Sequence, residues 1–168
     1  LKIVNGYAYL GTKLGGSGIN EFFIIDISNS NFPVVVGSTR AYGNIYDMEI
    51  AGDYAYLAID SSIAEIRVID IKNKTAPIQV GLYNFVGSKV ATSLEQVGSI
   101  LYVGLADGTL NVLDVTDVTN LTLKGSVSTG ASSLTKLSFG SNQIVASVDS
   151  ASAGLLVIDV ANPTNMSV

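Results

Sequence analysis

Apolar residues in this chain come in short runs, each closed by Gly, Asn, Asp, Ser or Pro after a few positions. Two kinds of run alternate. One is apolar at nearly every position: FFIIDI from Phe22, IRVIDI from Ile66, LNVLDV from Leu110 and LLVIDV from Leu155. The other alternates large rings with small side chains, as in YAYLG from Tyr7 and YAYLA from Tyr54. Both are rich in β-branched and aromatic residues and bounded by turn formers, which predicts strands. A strand apolar on both faces must be covered on both, and no stretch carries the 3.6-residue apolar period of an amphipathic helix.

The runs recur in step. DISNSNFPVVVG begins at Asp26, DIKNKTAPIQVG at Asp70, DVTDVTNLTLKG at Asp114 and DVANPTNMSV at Asp159, a period of about 44 residues that marks a repeat architecture. A glycine ahead of a strand keeps the same step at Gly6, Gly52, Gly98 and Gly140. A further glycine lies eleven residues after the aspartate, at Gly37, Gly81 and Gly125, and its fourth counterpart would fall beyond Val168. The repeats run approximately over 1–43, 44–89, 90–133 and 134–168, in one domain spanning 1–168. Each is too small to bury a core alone, so stacking supplies it. The outer copies are shorter than the inner ones, which leads us to expect a segment of a larger ring.

The second repeat predicts four strands, over 46–51, 54–59, 65–71 and 78–83. Asn5-Gly6, Gly52-Asp53 and Gly98-Ser99 supply the positive φ that two-residue hairpins need. Neighbouring strands therefore run antiparallel, which excludes a parallel β-helix. A sheet covered on both faces by like sheets is a propeller blade. The expected fold is all-β: a β-propeller built of four-stranded antiparallel blades, with about four repeats.

These same residues carry a family resemblance. G-x-YAYLA from Gly52, then EIRVIDI from Glu65, then PIQVG from Pro77, resembles the LVIVD repeat of β-propeller proteins. The third copy departs from it around Asn120-Leu121, where the proline is missing, and the fourth at Ile144-Val145, which replaces the tyrosine pair. The resemblance implies a propeller scaffold common in exported or surface proteins of bacteria and archaea, with no shared catalytic residues to carry over.

Composition narrows the functional classes. With 48% apolar and 14% charged residues, the chain is too hydrophobic for disorder, and its apolar runs fall far short of the roughly 20 residues of a membrane-spanning helix. We expect no membrane insertion in this segment. The net charge of -5 and the scattered basic residues leave no stripe to neutralise phosphates, so nucleic acid is not an expected partner. Cysteine and histidine are absent, which removes disulfides, thiolate ligands, and His bases or metal ligands. Low charge with abundant Ser, Thr, Asn and Gly suggests an extracellular or cell-surface location. Three N-x-S/T sequons, at Asn73, Asn120 and Asn165, fall in the connection after the repeating aspartate and are candidate glycosylation sites.

The repeating aspartates Asp26, Asp70, Asp114 and Asp159 sit where a strand ends, and turn chemistry explains them better than catalysis or calcium. Asp60, Asp107 and Asp149 form a second series at the opposite end of the blades, without the spacing of a calcium loop. Tyr7, Tyr9, Tyr54, Tyr56 and Tyr102 read as filling between blades rather than as a sugar platform. GGSGIN, from Gly15, lacks the helix start that a phosphate loop needs. Glu21, Glu49, Glu65 and Glu95 show no paired spacing for acid-base chemistry, although Glu49 and Glu95 sit on channel-lining first strands with Lys136 near the matching place in the fourth copy. No catalytic residue, metal site or cofactor is expected. The loops RAYGN and NFVGSK join successive blades, Tyr42 and Phe85 occupy nearly equivalent places in them, and Arg40, Tyr42, Phe85 and Lys89 are the expected binding contacts.

The reading that results is a non-catalytic extracellular or cell-surface β-propeller module for protein or glycan interaction. Two alternatives remain open: part of a propeller enzyme acting on polysaccharide, with its acids partly outside this chain, and a surface-assembly subunit that self-associates through blade edges.

Overall fold

The computed structural model describes residues 1–13, 18–87, 89–150 and 154–168. Its strands form four separate antiparallel sheets that follow one another along the chain. Blade 1 comprises β1 (Lys2–Val4), β2 (Tyr7–Gly11), β3 (Phe22–Asp26) and β4 (Val34–Thr39). Blade 2 comprises β5 (Ile45–Ala51), β6 (Tyr54–Ile59), β7 (Ile66–Asp70) and β8 (Ile78–Tyr83), within a residue or two of the sequence expectation. Blade 3 holds β9 (Ala91–Val97), β10 (Ile100–Leu105), β11 (Thr109–Asp114) and β12 (Thr122–Ser128). Blade 4 holds β13 (Ser133–Gly140), β14 (Gln143–Asp149) and β15 (Leu155–Asp159). In place of a fourth strand, blade 4 has an isolated antiparallel bridge between Asp159 and Ser167.

The first two strands of every blade are joined by two-residue turns, as the local sequence requires. Asn5 and Gly6 have φ of 50° and 79°, both positive as a type I′ turn needs. Gly52 and Gly98 instead take positive φ at the first turn position only, the type II′ pattern. In blade 4 the expected turn glycine, Gly140, is the last strand residue, and Ser141 and Asn142 make the turn with φ of 52° and 64°. The turn slips by one residue because short polar side chains tolerate left-handed backbone.

Three apolar layers fill the gaps between successive blades. Tyr9, Phe22 and Ile24 meet Met48, Leu57 and Ile69 between blades 1 and 2. Tyr56, Ile66 and Val68 meet Leu94, Leu101 and Leu113 between blades 2 and 3. Tyr102, Leu110 and Val112 meet Leu134, Ile144 and Ile158 between blades 3 and 4. Third strands β7 and β11 are therefore buried on both faces, whereas Ile3 of blade 1 and Leu155 and Val157 of blade 4 remain exposed. The tyrosine rings lie in these layers: Tyr9, Tyr56 and Tyr102 are buried, while Tyr7 and Tyr54 pack from the layer's edge.

A backbone contact locks each blade to the next. A Cβ at Gly37 would stand 2.0 Å from the Lys74 carbonyl oxygen, at Gly81 1.9 Å from that of Val118, and at Gly125 1.8 Å from that of Pro163. Each glycine sits next to a register shift in β4, β8 or β12, which turns the strand against the following blade's loop. The recurring glycine is the space in which that loop rests.

Candidate functional site

The candidate surface lies where one blade hands the chain to the next. The loop after β4 is drawn inward by Glu21, at the foot of β3, whose fully buried carboxylate accepts the backbone N–H of Ala41 at 2.7 Å and of Tyr42 at 3.3 Å. Glu65 does the same one blade on, accepting Phe85 N–H at 2.7 Å and Lys89 N–H at 3.2 Å. Hydrogen bonds to an ionised acceptor are the strong ones, so both loops are held from beneath. The sequence reading left these two glutamates without a role, although each stands five residues before a repeating aspartate.

The anchors also correct the alignment of the two loops. Ala41 and Phe85 are the matching residues, both buried, with Phe85 6% exposed and edge-on to Tyr83 at 4.9 Å. Tyr42 therefore matches Val86, and both project outward, at 53% and 95% exposure. Tyr42 adopts a left-handed φ of 58°, a strained backbone for a bulky residue that the Glu21 anchor holds in place. The Arg40 guanidinium lies 4.6 Å and that of Arg67 4.8 Å from the centre of its ring. Lys89 ion-pairs with Asp107. Tyr42, Ile63, Arg67 and Gln79 line a surface cavity of about 360 Å³, and Phe85, Val86, Lys89 and Asn111 border another of about 330 Å³ one blade on. Arg40 and Tyr42 thus belong to the first junction, Phe85 and Lys89 to the second.

Every candidate acid on the innermost strands is engaged. Asp47 on β5 accepts Leu94 N–H at 3.0 Å and the Lys136 ammonium at 2.8 Å, tying blade 2 to blades 3 and 4. Glu49 pairs with Lys2 of blade 1 at 2.6 Å, and Glu95 accepts Phe139 N–H at 3.2 Å. Burial pushes the Glu49 carboxyl up; Lys2 opposes this, and the Asp47 and Glu95 charges add to it. Among the described residues no group of three or more acids could hold a metal ion. The glycine-rich stretch at Gly15 lies outside the described residues.

The repeating aspartates cap turns. Asp26, Asp70, Asp114 and Asp159 each accept the N–H two residues on, at 2.8–2.9 Å. Asn29, Asn73, Asp117 and Asn162 repeat the device three residues later. These bonds favour the ionised form and hold Asp26, Asp114 and Asp117 below the ordinary 3.8 of an aspartate. A lowered folded-state pKa contributes stability above the unfolded value, lost as pH falls through the folded one. Carboxyl NMR titration is therefore expected to place all three midpoints below 3.8, with stability declining from about pH 4 downward. Midpoints at or above that value would mean the caps are not formed in solution. In the second series, Asp60 accepts the Asn44 N–H and side-chain amide at 2.7 and 2.6 Å, fixing the far end of the Tyr42 loop. The sequon residues Asn73, Asn120 and Asn165 are all exposed.

The blades, the Asx turns and the glycine contacts recur over the stretches that match the model of the LVIVD repeat, residues 1–40, 42–85, 91–129 and 148–168. The chain belongs to the LVIVD repeat family. No curated protein matches this LVIVD-repeat chain. Among solved structures it is similar to the computationally designed Ika8 protein, at 14% identity and a TM-score of 0.66 over 94% of the chain. The LVIVD-repeat chain spans about half of that protein, 48% of its length. It is also similar to the designed Ika4 protein, at 15% identity and a TM-score of 0.65, covering 92% of each. At this identity the likeness shows the fold, which for the LVIVD repeats is a row of propeller blades.

Proposed function

We propose that this chain is a non-catalytic β-propeller module, extracellular or displayed at the cell surface, that binds a protein or glycan partner through the loops at its blade junctions. The observation that carries this reading is the pair of buried anchors, Glu21 and Glu65, beneath outward-facing Tyr42 and Val86. A loop fixed before binding loses little conformational freedom when a partner arrives, so its contacts go into affinity. Aromatic and arginine side chains at such positions are the usual anchors of an interface. The acids that could have served the enzymatic alternative bind neighbouring blades instead. Low charge with abundant Ser, Thr, Asn and Gly, together with the three exposed sequons, supports a location outside the cell.

The test is a screen of the fluorescently labelled chain against glycan and protein arrays, followed by Tyr42→Ala. The variant is expected to weaken the leading hit by about tenfold without lowering the unfolding temperature. A hit unaffected by Tyr42→Ala but abolished by substitutions elsewhere would remove the junction loops from the site.

A further inference from the structure

The junction between blades 1 and 2 concentrates positive charge without a matching carboxylate. Lys2, Lys89, Lys124 and Lys136 each ion-pair with an acid, whereas Arg40 and Arg67 make no salt bridge among the described residues. Arg67 is 5% exposed, on a strand where β3, β11 and β15 carry Phe23, Asn111 and Leu156 at the matching position. Its Nη1 donates to Gln79 Oε1, but its Nε is buried without an acceptor, and so is that of Arg40. Two buried donors left unpaired destabilise the free protein. Both flank Tyr42, and Arg67 opens into the cavity with Gln79 and Ile63.

Glu21, whose charge acts on Arg67, forms no salt bridge with either guanidinium and offsets only one of their two charges. One of its oxygens is taken by the Ala41 and Tyr42 amides and the other has no partner, so Glu21 acts on Arg67 through space. Burial pulls the Arg67 pKa down, while Tyr42 and Glu21 push it back up. The cluster thus retains an excess of positive charge on a protein of net charge -5. What fits two neighbouring guanidinium groups, whose terminal Nη groups rather than the buried Nε atoms would face a ligand, is a planar, bidentate oxyanion.

Resting on the junction-loop reading, we propose that Arg40, Tyr42, Arg67 and Gln79 form a subsite for the carboxylate of a uronic-acid sugar. The surroundings select a single charge on a hydroxylated ring. Asp60 lies on the same face with no cation paired to it among the described residues, bonded to the Tyr42 loop, and would repel a run of acidic residues in a peptide. The equivalent slot one blade on replaces Arg67 with Asn111, whose side-chain amide nitrogen is also buried without an acceptor. That donor suits a sugar hydroxyl and adds no charge requirement. The cavity of about 360 Å³ is at the small end for ligand pockets, which suits one sugar ring.

The test is a heteronuclear NMR and calorimetric titration of the whole chain with galacturonate, with neutral galactose and an Asp-Glu-Asp peptide as comparisons. Saturable galacturonate binding, with shifts centred on Ala41, Tyr42 and Gln79, is expected, together with binding at least tenfold weaker in Arg40→Gln. Arg67→Lys, which keeps the charge but not the fork, is expected to weaken it as well, and Arg40→Gln guards against a folding loss at the buried site. The proposal is overturned by absent galacturonate binding, by equal binding of galactose, by preference for the peptide, or by indifference to Arg40→Gln. An array ligand lost in Tyr42→Ala yet not displaced by galacturonate would overturn this proposal and leave the junction-loop reading standing. No ligand on the arrays and none in the titration would end both.

Discussion

Gly81→Ala is expected to destabilise the chain by about 3 kcal/mol, the upper range for forcing a methyl group into a filled space. The added carbon would stand 1.9 Å from the Val118 carbonyl oxygen, and the obstacle is backbone, which cannot swing aside as a side-chain tip can. Blade 2 and the blade 3 loop would have to separate, opening the layer that holds Ile66, Leu101 and Leu113. Gly140→Ala is the control, because nothing lies within 4 Å of its Cβ position and its φ is not positive. It should change stability by no more than about 0.5 kcal/mol. Urea unfolding of both variants checks the pair. Equal midpoints would mean that the contact does not explain the repeating glycine.

The second large effect is expected at Glu65. Glu65→Ala leaves the Phe85 and Lys89 amides without their acceptor at the junction, and each unsatisfied buried group costs about 1–3 kcal/mol. The sum, about 3 kcal/mol, should fall on a local element: hydrogen exchange at those two amides is expected to accelerate far more than in the β6 or β10 ladders. Glu65→Gln keeps one acceptor oxygen and should lose about half as much. Unchanged protection at Phe85 and Lys89 would show that the loop is held by packing alone.

Much of the architecture was legible because the repeat prints the same local solution several times. The strands of blade 2, the hairpin turns and the Asx role of Asp70 follow from residue types within a few positions of each other. The junction was harder because it depends on residues far apart in sequence. Tyr42 and Phe85 looked nearly equivalent as the aromatic residues of matching loops, yet the Glu21 and Glu65 hydrogen bonds pair Phe85 with Ala41 and put Val86 in the outward position. Arg67 could have been singled out as the one basic residue inside a third-strand apolar run. Its unpaired Nε and its closeness to Tyr42 emerge only when blades 1 and 2 are stacked. Gly81 was visible as a landmark, but its reason lies in a carbonyl 37 positions later.

The contacts made by Gly37, Gly81 and Gly125 all point the same way along the row, from a strand of one blade to the loop of the next. Such polarity gives the repeats the logic of building bricks, with a stud on one side and a socket on the other. A whole blade could be duplicated or deleted between equivalent positions and each remaining stud would still find a socket of the same shape. Gene lengthening by repeat duplication then needs no compensating substitution at this joint, whereas swapping a half-blade would leave a carbonyl facing a side chain that has no room to move.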